Sequence, residues 1–234
     1  MEPTLEIFSL QIVILGNFNP PVISPSWLNK NVLIGDEDTK SAMESASLAI
    51  TPDISRFETE WFSMQVIKEQ FVLHSKGPVT PALKDLAIGI FTLLGHTPVT
   101  AIGINSLAHY KIYSVEEFHK VGDILAPKPI WNSIYPETEN QSVGLHQLTL
   151  EINPFKREGP EVPRKNKKVT LARSDKLPHS IYFIFNDHYS ISIEKNSLTT
   201  ESDKLVEILN TNWDRSQEEA KTLFSSVLRR AINS

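Results

Sequence analysis

Seven histidines and the carboxylates near them are the side chains of this chain best suited to chemistry. The densest grouping is Asn186-Asp187-His188, set inside the apolar run "IYFIFNDHYSISI". Histidine titrates closest to neutral pH and is the commonest metal ligand. His119 and Asp123 stand at i, i+4, so a helix through them would place both on one face. Joined by Asp187 and His188, they could hold a metal or a water for a hydrolase of the phosphodiesterase or nuclease class. The plainer alternative pairs His119 with Asp123 locally and leaves His188 to hydrogen-bond a neighbouring strand. That alternative is preferred, because no H-E-x-x-H pattern and no pair of histidines at i, i+4 spacing supports a helical zinc site.

Other chemistry is thinly represented. The chain has no G-x-S-x-G elbow, no P-loop and no G-x-G-x-x-G, so neither a serine nucleophile nor a nucleotide cofactor is expected. Zero cysteines remove thiolate nucleophiles, zinc ribbons, iron–sulfur clusters and disulfides together. No cofactor and no metal is therefore expected.

Binding is better supplied. Residues 156–176 carry eight basic side chains (Lys156, Arg157, Arg164, Lys165, Lys167, Lys168, Arg173, Lys176) against three acids. This arm is +5 on a chain of net charge −5, and it could meet nucleic-acid phosphate or an acidic protein surface. A solvated hairpin loop that blunts a sheet edge with lysines is the commoner meaning of such a segment. No aromatic residue interleaves the arm, so base stacking is unsupported. Two proline-stiffened stretches, "PPVISPSWL" and "APKPIWNSIYP", present Trp27 and Trp131 as rigid aromatic anchors of the kind found at interfaces. The first reads as an ordered loop pinned by Phe18 and Trp27, because its prolines donate no hydrogen bonds in a central strand; for the second, a loop covering the core is the simpler expectation. The candidate binding residues are thus Trp27, Trp131, Arg164, Lys165, Lys167 and Lys168.

The elements that must position these residues can be read from periodicity. In 181–193, a single strand puts Phe183, Phe185, Asp187 and Tyr189 on one face and Tyr182, Asn186 and His188 on the other. Asp187 then needs a fixed partner or a place at the sheet rim, since an unpaired buried carboxylate is costly. A tight hairpin centred on Asn186 and Asp187 is the competing possibility; the single strand is preferred because Asn-Asp lacks the glycine of a strong turn. Residues 5–16, 98–112, 144–155 and 167–174 also read as strands, and 56–74 reads as one long strand covered on both faces. "TPALKDLAIGIFTLLGH" predicts a helix with Thr80 as N-cap, Pro81 in the first turn and Leu83, Leu86, Ile90 and Leu94 inward. Ser114 and Glu117 predict a capping box for a short helix over 114–126, and Ser216 and Glu219 a second one, which divides the helical segment 201–234 in two.

The order of elements lacks regular βα alternation. It predicts a single α+β domain over 1–234, mainly antiparallel sheet packed against a central helix and C-terminal helices. Hydrophobic residues at 40% and charged residues at 22% suit a globular chain that folds. No apolar run reaches a membrane span, and the N-terminus lacks a basic leader, so a cytoplasmic location without membrane contact is expected.

Several phrases carry a resemblance: "GNFNPPVISPSWL", "ETEWFSMQV", "GINSLAHYKI", "HKVGDILAPKPIW", "FNDHYSI" and the closing helix with Phe224. They are similar to an uncharacterised, sporadically distributed family of bacterial proteins, across most of the chain. The resemblance implies bacterial origin and this order of elements, and it brings no activity. Sporadic distribution is common among mobile and defence genes, which suggests an accessory role in a defence-type multi-component system. The functional expectation is therefore a non-enzymatic cytosolic binding or assembly subunit with a protein partner or a homo-oligomeric state; the alternative is the His/Asp hydrolase.

Overall fold

The structure is a computed structural model that describes residues 2–76, 81–153, 165–193 and 197–234. Its frame is one nine-stranded antiparallel sheet with strand order β2-β3-β4-β5-β1-β6-β9-β8-β7. The strands are β1 (Thr4–Gly16), β2 (Ala49–Ile50), β3 (Ile54–Glu58), β4 (Phe62–Ile67), β5 (Gln70–Ser75), β6 (Val99–Lys111), β7 (Gln147–Ile152), β8 (Lys165–Arg173) and β9 (Ser180–Ser190). The helices are α1 (Pro25–Lys30), α2 (Asp36–Glu44), α3 (Ala82–Leu93), α4 (Val115–Leu125), α5 (Lys128–Asn132) and α6 (Glu201–Asn233). The expected α+β class and antiparallel sheet are what the chain forms.

All helices with buried apolar residues share them with one face of the sheet. In the first core, Ile23, Leu28, Leu83, Ile90, Leu205 and Trp213 meet Ile12, Ile14, Phe57, Phe62, Phe71 and Ile104. In the second, Val121, Ala220, Phe224 and Leu228 meet Ala108, Tyr110, Val169, Leu171, Phe183 and Phe185. Phe8 packs against both. The even-numbered residues of β1 and β6 and the odd-numbered residues of β9 point inward, as a period of two requires. Apart from Val99 at the irregular start of β6, the opposite parity forms an outer face that shares no residue with either core.

Three expectations need correction. Residues 56–74 are not one strand but parts of three. Thr59 accepts hydrogen bonds from the backbone N–H groups of Trp61 and Phe62, and this side-chain-made turn ends β3. Lys68 and Glu69 then form a two-residue hairpin whose carbonyls accept from Phe18 and Gly16. The C-terminal segment is one helix rather than two. Its capping box is Thr200 with Asp203, and Ser216 lies fully buried in mid-helix. No glycine or proline lies between Glu201 and Asn233 to stop it. Lastly, the proline-rich stretch after β1 is not simply a loop: it holds a 3₁₀ turn at Pro20–Val22 and α1, capped by Ser24 through the Trp27 N–H.

The central helix is present as expected, with Leu83, Leu86, Ala87, Ile90 and Phe91 buried. Its expected N-cap, Thr80, lies outside the described residues, and Pro81 occupies the cap position. Ser114 caps α4 by accepting from the Glu117 N–H.

Candidate functional site

The strand β9 runs unbroken through Asn186, Asp187 and His188, so the hairpin alternative is not adopted. Strand alternation then separates the two residues that the hydrolase needed together. Asp187 is fully buried on the helix-covered face, opposite Ile104 of β6 and Lys167 of β8. His188 lies on the outer face, opposite Gly103 and Asn166. His119 and Asp123 sit on α4, whose Phe118 ring lies 6.1 Å from that of His179, just before the start of β9. Asp187 is eight residues further along, about 26 Å at ~3.3 Å per residue. Asp123 pairs with Lys128 at 3.4 Å rather than with His119, which is exposed. The structure therefore does not bring His119, Asp123, Asp187 and His188 into one site. Among the described residues no group of three His, Asp or Glu side chains could hold a metal ion.

What Asp187 does have is a buried hydroxyl. Tyr189 Oη donates to Asp187 Oδ2 at 2.7 Å, two residues along the same face of β9. Burial, the hydrogen bond to Asp187 and that carboxylate's charge push the Tyr189 phenol far above its ordinary range, while Arg215 of α6 pulls it back. Arg215 in turn donates to Asn212 Oδ1 one turn earlier. Asp187 is thus neither at the sheet rim nor alone: it is the sheet end of a polar insert running from β9 to α6. Its second oxygen, Oδ1, has no hydrogen-bond partner among the described residues, and neither do the fully buried hydroxyls of Ser106 and Ser216.

The outer face has a different order. In register, Glu58, Ser63, His74, Gln11, Asn105, Asn186, Lys168 and Glu151 form one polar row across eight strands, β3 to β7 in sheet order. Within it Asn186 Nδ2 donates to Asn105 Oδ1, and Asn105 Nδ2 donates to Gln11 Oε1 at 3.2 Å. Gly103 leaves room for this chain, since a Cβ there would come within 2.9 Å of Asn186 Nδ2. Further along the strands, the β8–β9 connection brings Ser174 against His109 of the same face. Ser174 Oγ accepts from the N–H groups of Lys176 and Leu177, so its own proton goes to His109 Nδ1, 2.8 Å away. His109 also stacks on Tyr182 with centroids 4.5 Å apart. Burial holds the His74, His109 and His188 rings below the usual histidine range, helped by Lys176 for the first two and by Lys168 for the third. The two of these rings that hydrogen-bond a side chain meet hydroxyls rather than carboxylates, His74 that of Ser9 at 3.2 Å and His109 that of Ser174.

The basic arm is divided by the same alternation. Lys167 points inward, pairs with Glu219 of α6 and lies 5.8 Å from the centre of the Phe185 ring. Lys168 points outward and is 3.9 Å from Glu151. Adjacent in sequence, the two lysines do not make one patch. Lys165 contributes backbone to β8 opposite Tyr189, and Arg164 lies outside the described residues.

The two tryptophan candidates also part. Trp27 is half-buried against the first core and serves to close it. Trp131 is 47% exposed, with Ile130 at 65%, Ile134 at 63% and Tyr135 at 58%. No residue of α5 is buried, so the expectation that this stretch covers the core is corrected: it leaves its apolar side chains in water. The prolines explain this, because Pro127 and Pro129 start a one-turn helix that stands off the sheet instead of lying on it.

Sequence reasoning missed Tyr189 as a partner, Arg215, Ser174 and His109. The parity that put Tyr189 beside Asp187 was readable; Arg215 was hidden by the apparent helix start at Ser216. No protein-family model matches the chain, and no curated protein matches it significantly.

Proposed function

We propose that the protein is a non-enzymatic binding or assembly subunit that engages a protein partner through the exposed apolar segment around α5. The observation carrying this reading is the set Ile130, Trp131, Ile134 and Tyr135, four large apolar side chains within six residues, each 47–65% exposed. Isolated exposed apolar residues are ordinary, but a contiguous group on a proline-stiffened turn has the composition and rigidity of an interface anchor. Trp and Tyr lose little conformational entropy when such a surface is covered, because each has only two side-chain torsions. The hydrolase alternative has less support, since Asp187 and His188 lie on opposite faces of β9 while His119 and Asp123 belong to α4, which meets the chain just before the start of that strand. The sporadic distribution of the family that the sequence resembles favours an accessory place in a bacterial defence-type system, and a cytoplasmic one. No helix among the described residues is long and apolar enough to cross a membrane.

The test is crosslinking in the native host, followed by mapping of the contact. Crosslinks to a protein partner are expected to fall on residues 124–135, and Trp131→Ala with Tyr135→Ala should weaken that association by about 30-fold or more, the cost of losing a ~2 kcal/mol anchor. Stability should change by no more than about 0.5 kcal/mol, as for other exposed positions. A double variant that melts much earlier would make this segment part of the core, and unchanged association would remove it from the interface.

A further inference from the structure

We infer that β7 is a pairing edge for a second copy of this chain, so that two nine-stranded sheets join antiparallel through their β7 strands. Among the described residues, β7 ends the sheet and pairs only with β8. An open edge presents a row of free N–H and C=O groups, and stable monomers blunt such edges with proline, lysine, bulges or very short strands. The other edge obeys this rule, for β2 has only two residues. β7 does not. Its sequence QLTLEI has six residues with no proline, no lysine and a single charged side chain, Glu151, and its register with β8 runs without a bulge from Gln147 to Ile152.

The side chains repeat the message. Leu148, Leu150 and Ile152 lie on the helix-covered parity, opposite Leu171, Val169 and Lys167. Yet Leu150 is 55% and Ile152 48% exposed, because none of the described helices reaches out over them. A continuing sheet would cover this row; solvent does not.

The strand is also complementary to itself. In an antiparallel pair, directly opposite residues share a face, so two β7 strands related by a two-fold axis can align with Leu150, Thr149 or Glu151 at the centre. Centring on Glu151 sets two carboxylates against each other, which is unfavourable. Centring on Leu150 sets Leu150 against its own copy, Leu148 against Ile152 and Thr149 against Glu151, with apolar facing apolar and no like charges opposed. Centring on Thr149 pairs Leu148 with Leu150 and leaves Ile152 against His146. The Leu150-centred register is therefore the one the sequence fits best. Glu151 is no obstacle to it, being held within its own sheet by Asn166 at 3.0 Å and Lys168 at 3.9 Å.

The chain contains no cysteine, so a single introduced one reports on this register cleanly. Residues directly opposite have Cβ atoms about 4.5–5.5 Å apart, within easy reach of a disulfide. Leu150→Cys in the full chain should form a covalent dimer under mild oxidation. Ile152→Cys should not, because its own copy is four residues away along the pair, roughly 13 Å. Light scattering on the unmodified protein should show a mass of two chains that falls on dilution, and Leu150→Lys should lose the dimer while keeping its circular dichroism. Mixing Leu150→Lys with Leu150→Glu should restore it, which also covers the case in which lysine alone disturbs folding. Equal crosslinking of the two cysteine variants would overturn the register. A chain that stays monomeric at every concentration, with an uncrosslinked Leu150→Cys, would overturn the pairing and leave this edge to a strand from another protein.

Discussion

Asp187 shows how a residue that looks catalytic in sequence becomes structural once its face is known. One carboxylate oxygen accepts from Tyr189, and the pair lies under α6 where no water-facing route is open to Asp187, which is fully buried. Removing the donor leaves a buried acceptor short of a partner, so Tyr189→Phe should cost on the order of 1–3 kcal/mol in urea unfolding, and Asp187→Asn a similar amount. His188→Gln, on the outer face and without a hydrogen bond among the described residues, should cost less. Equal costs for all three would contradict the assignment of faces. His109 makes a second prediction at this scale. Its ring must stay neutral to accept the Ser174 proton, and burial with nearby Lys176 lowers its pKa against the weaker pull of Asp175. A histidine whose folded pKa lies below its unfolded value binds fewer protons in the fold, so stability falls as pH drops through the unfolded value of about 6.5. His74 and His188 act in the same direction. Melting temperature should therefore decline from pH 7.5 to pH 5, and His109→Gln should shrink that decline; a variant with the full wild-type pH dependence would show that His109 is not its source.

Among the elements, α3 and α6 are the ones on which the helical layer depends. α3 was legible because Leu83, Leu86 and Ile90 recur at helical spacing between two breakers, and Ile90 is fully buried. Ile90→Asp should accordingly give a chain with no cooperative melt, since it sets an unpaired charge in the core. The long strands β1, β6 and β9 were legible from alternation, which also assigned the correct face to Asp187, Tyr189 and His188. The turns were less so. Thr59 closes the β3–β4 turn with its hydroxyl and Lys68-Glu69 closes the next without glycine or proline, so nothing in composition marks either break. The S-x-x-E pattern at 216–219 misled for a related reason: it signals a helix start only where the preceding backbone is non-helical, and residues 201–215 are already wound. The true start, Thr200 with Asp203, satisfies both halves of the capping box. Thr200→Ala should cost about 1 kcal/mol, the usual loss for an N-cap, whereas Ser216→Ala, which removes a buried hydroxyl without a described partner, should be neutral or stabilising. Burial of the candidate binding residues was the least legible feature, because Trp27 and Trp131 sit in similar proline-stiffened stretches and only the packing of distant segments decides which one reaches a core.

At the scale of the whole molecule, two apolar cores share one sheet, and their boundary falls within single elements rather than between them. β6 contributes Ile102 and Ile104 to the first core and Ala108 and Tyr110 to the second. β9 gives Tyr189 to one and Phe183 and Phe185 to the other, and α6 runs from Leu205, Leu209 and Trp213 in the first to Phe224 and Leu228 in the second. A strand or a helix that spans both cores cannot lose one half of its packing without exposing backbone groups that the other half helps to keep paired. The cores should therefore unfold together. Tryptophan fluorescence is a probe of the first core, where Trp27, Trp61 and Trp213 pack, while far-ultraviolet circular dichroism reports on helices and strands of both. The two signals should give coincident urea transitions with a single midpoint. Truncation before Ser216 tests the same coupling more severely, for it removes Ala220, Phe224 and Leu228 from the second core and leaves the first core's α6 residues in place. If the cores were independent, the shortened chain would keep the wild-type fluorescence midpoint; the shared strands β6 and β9 instead require the midpoint of the first core to fall with the loss of the second.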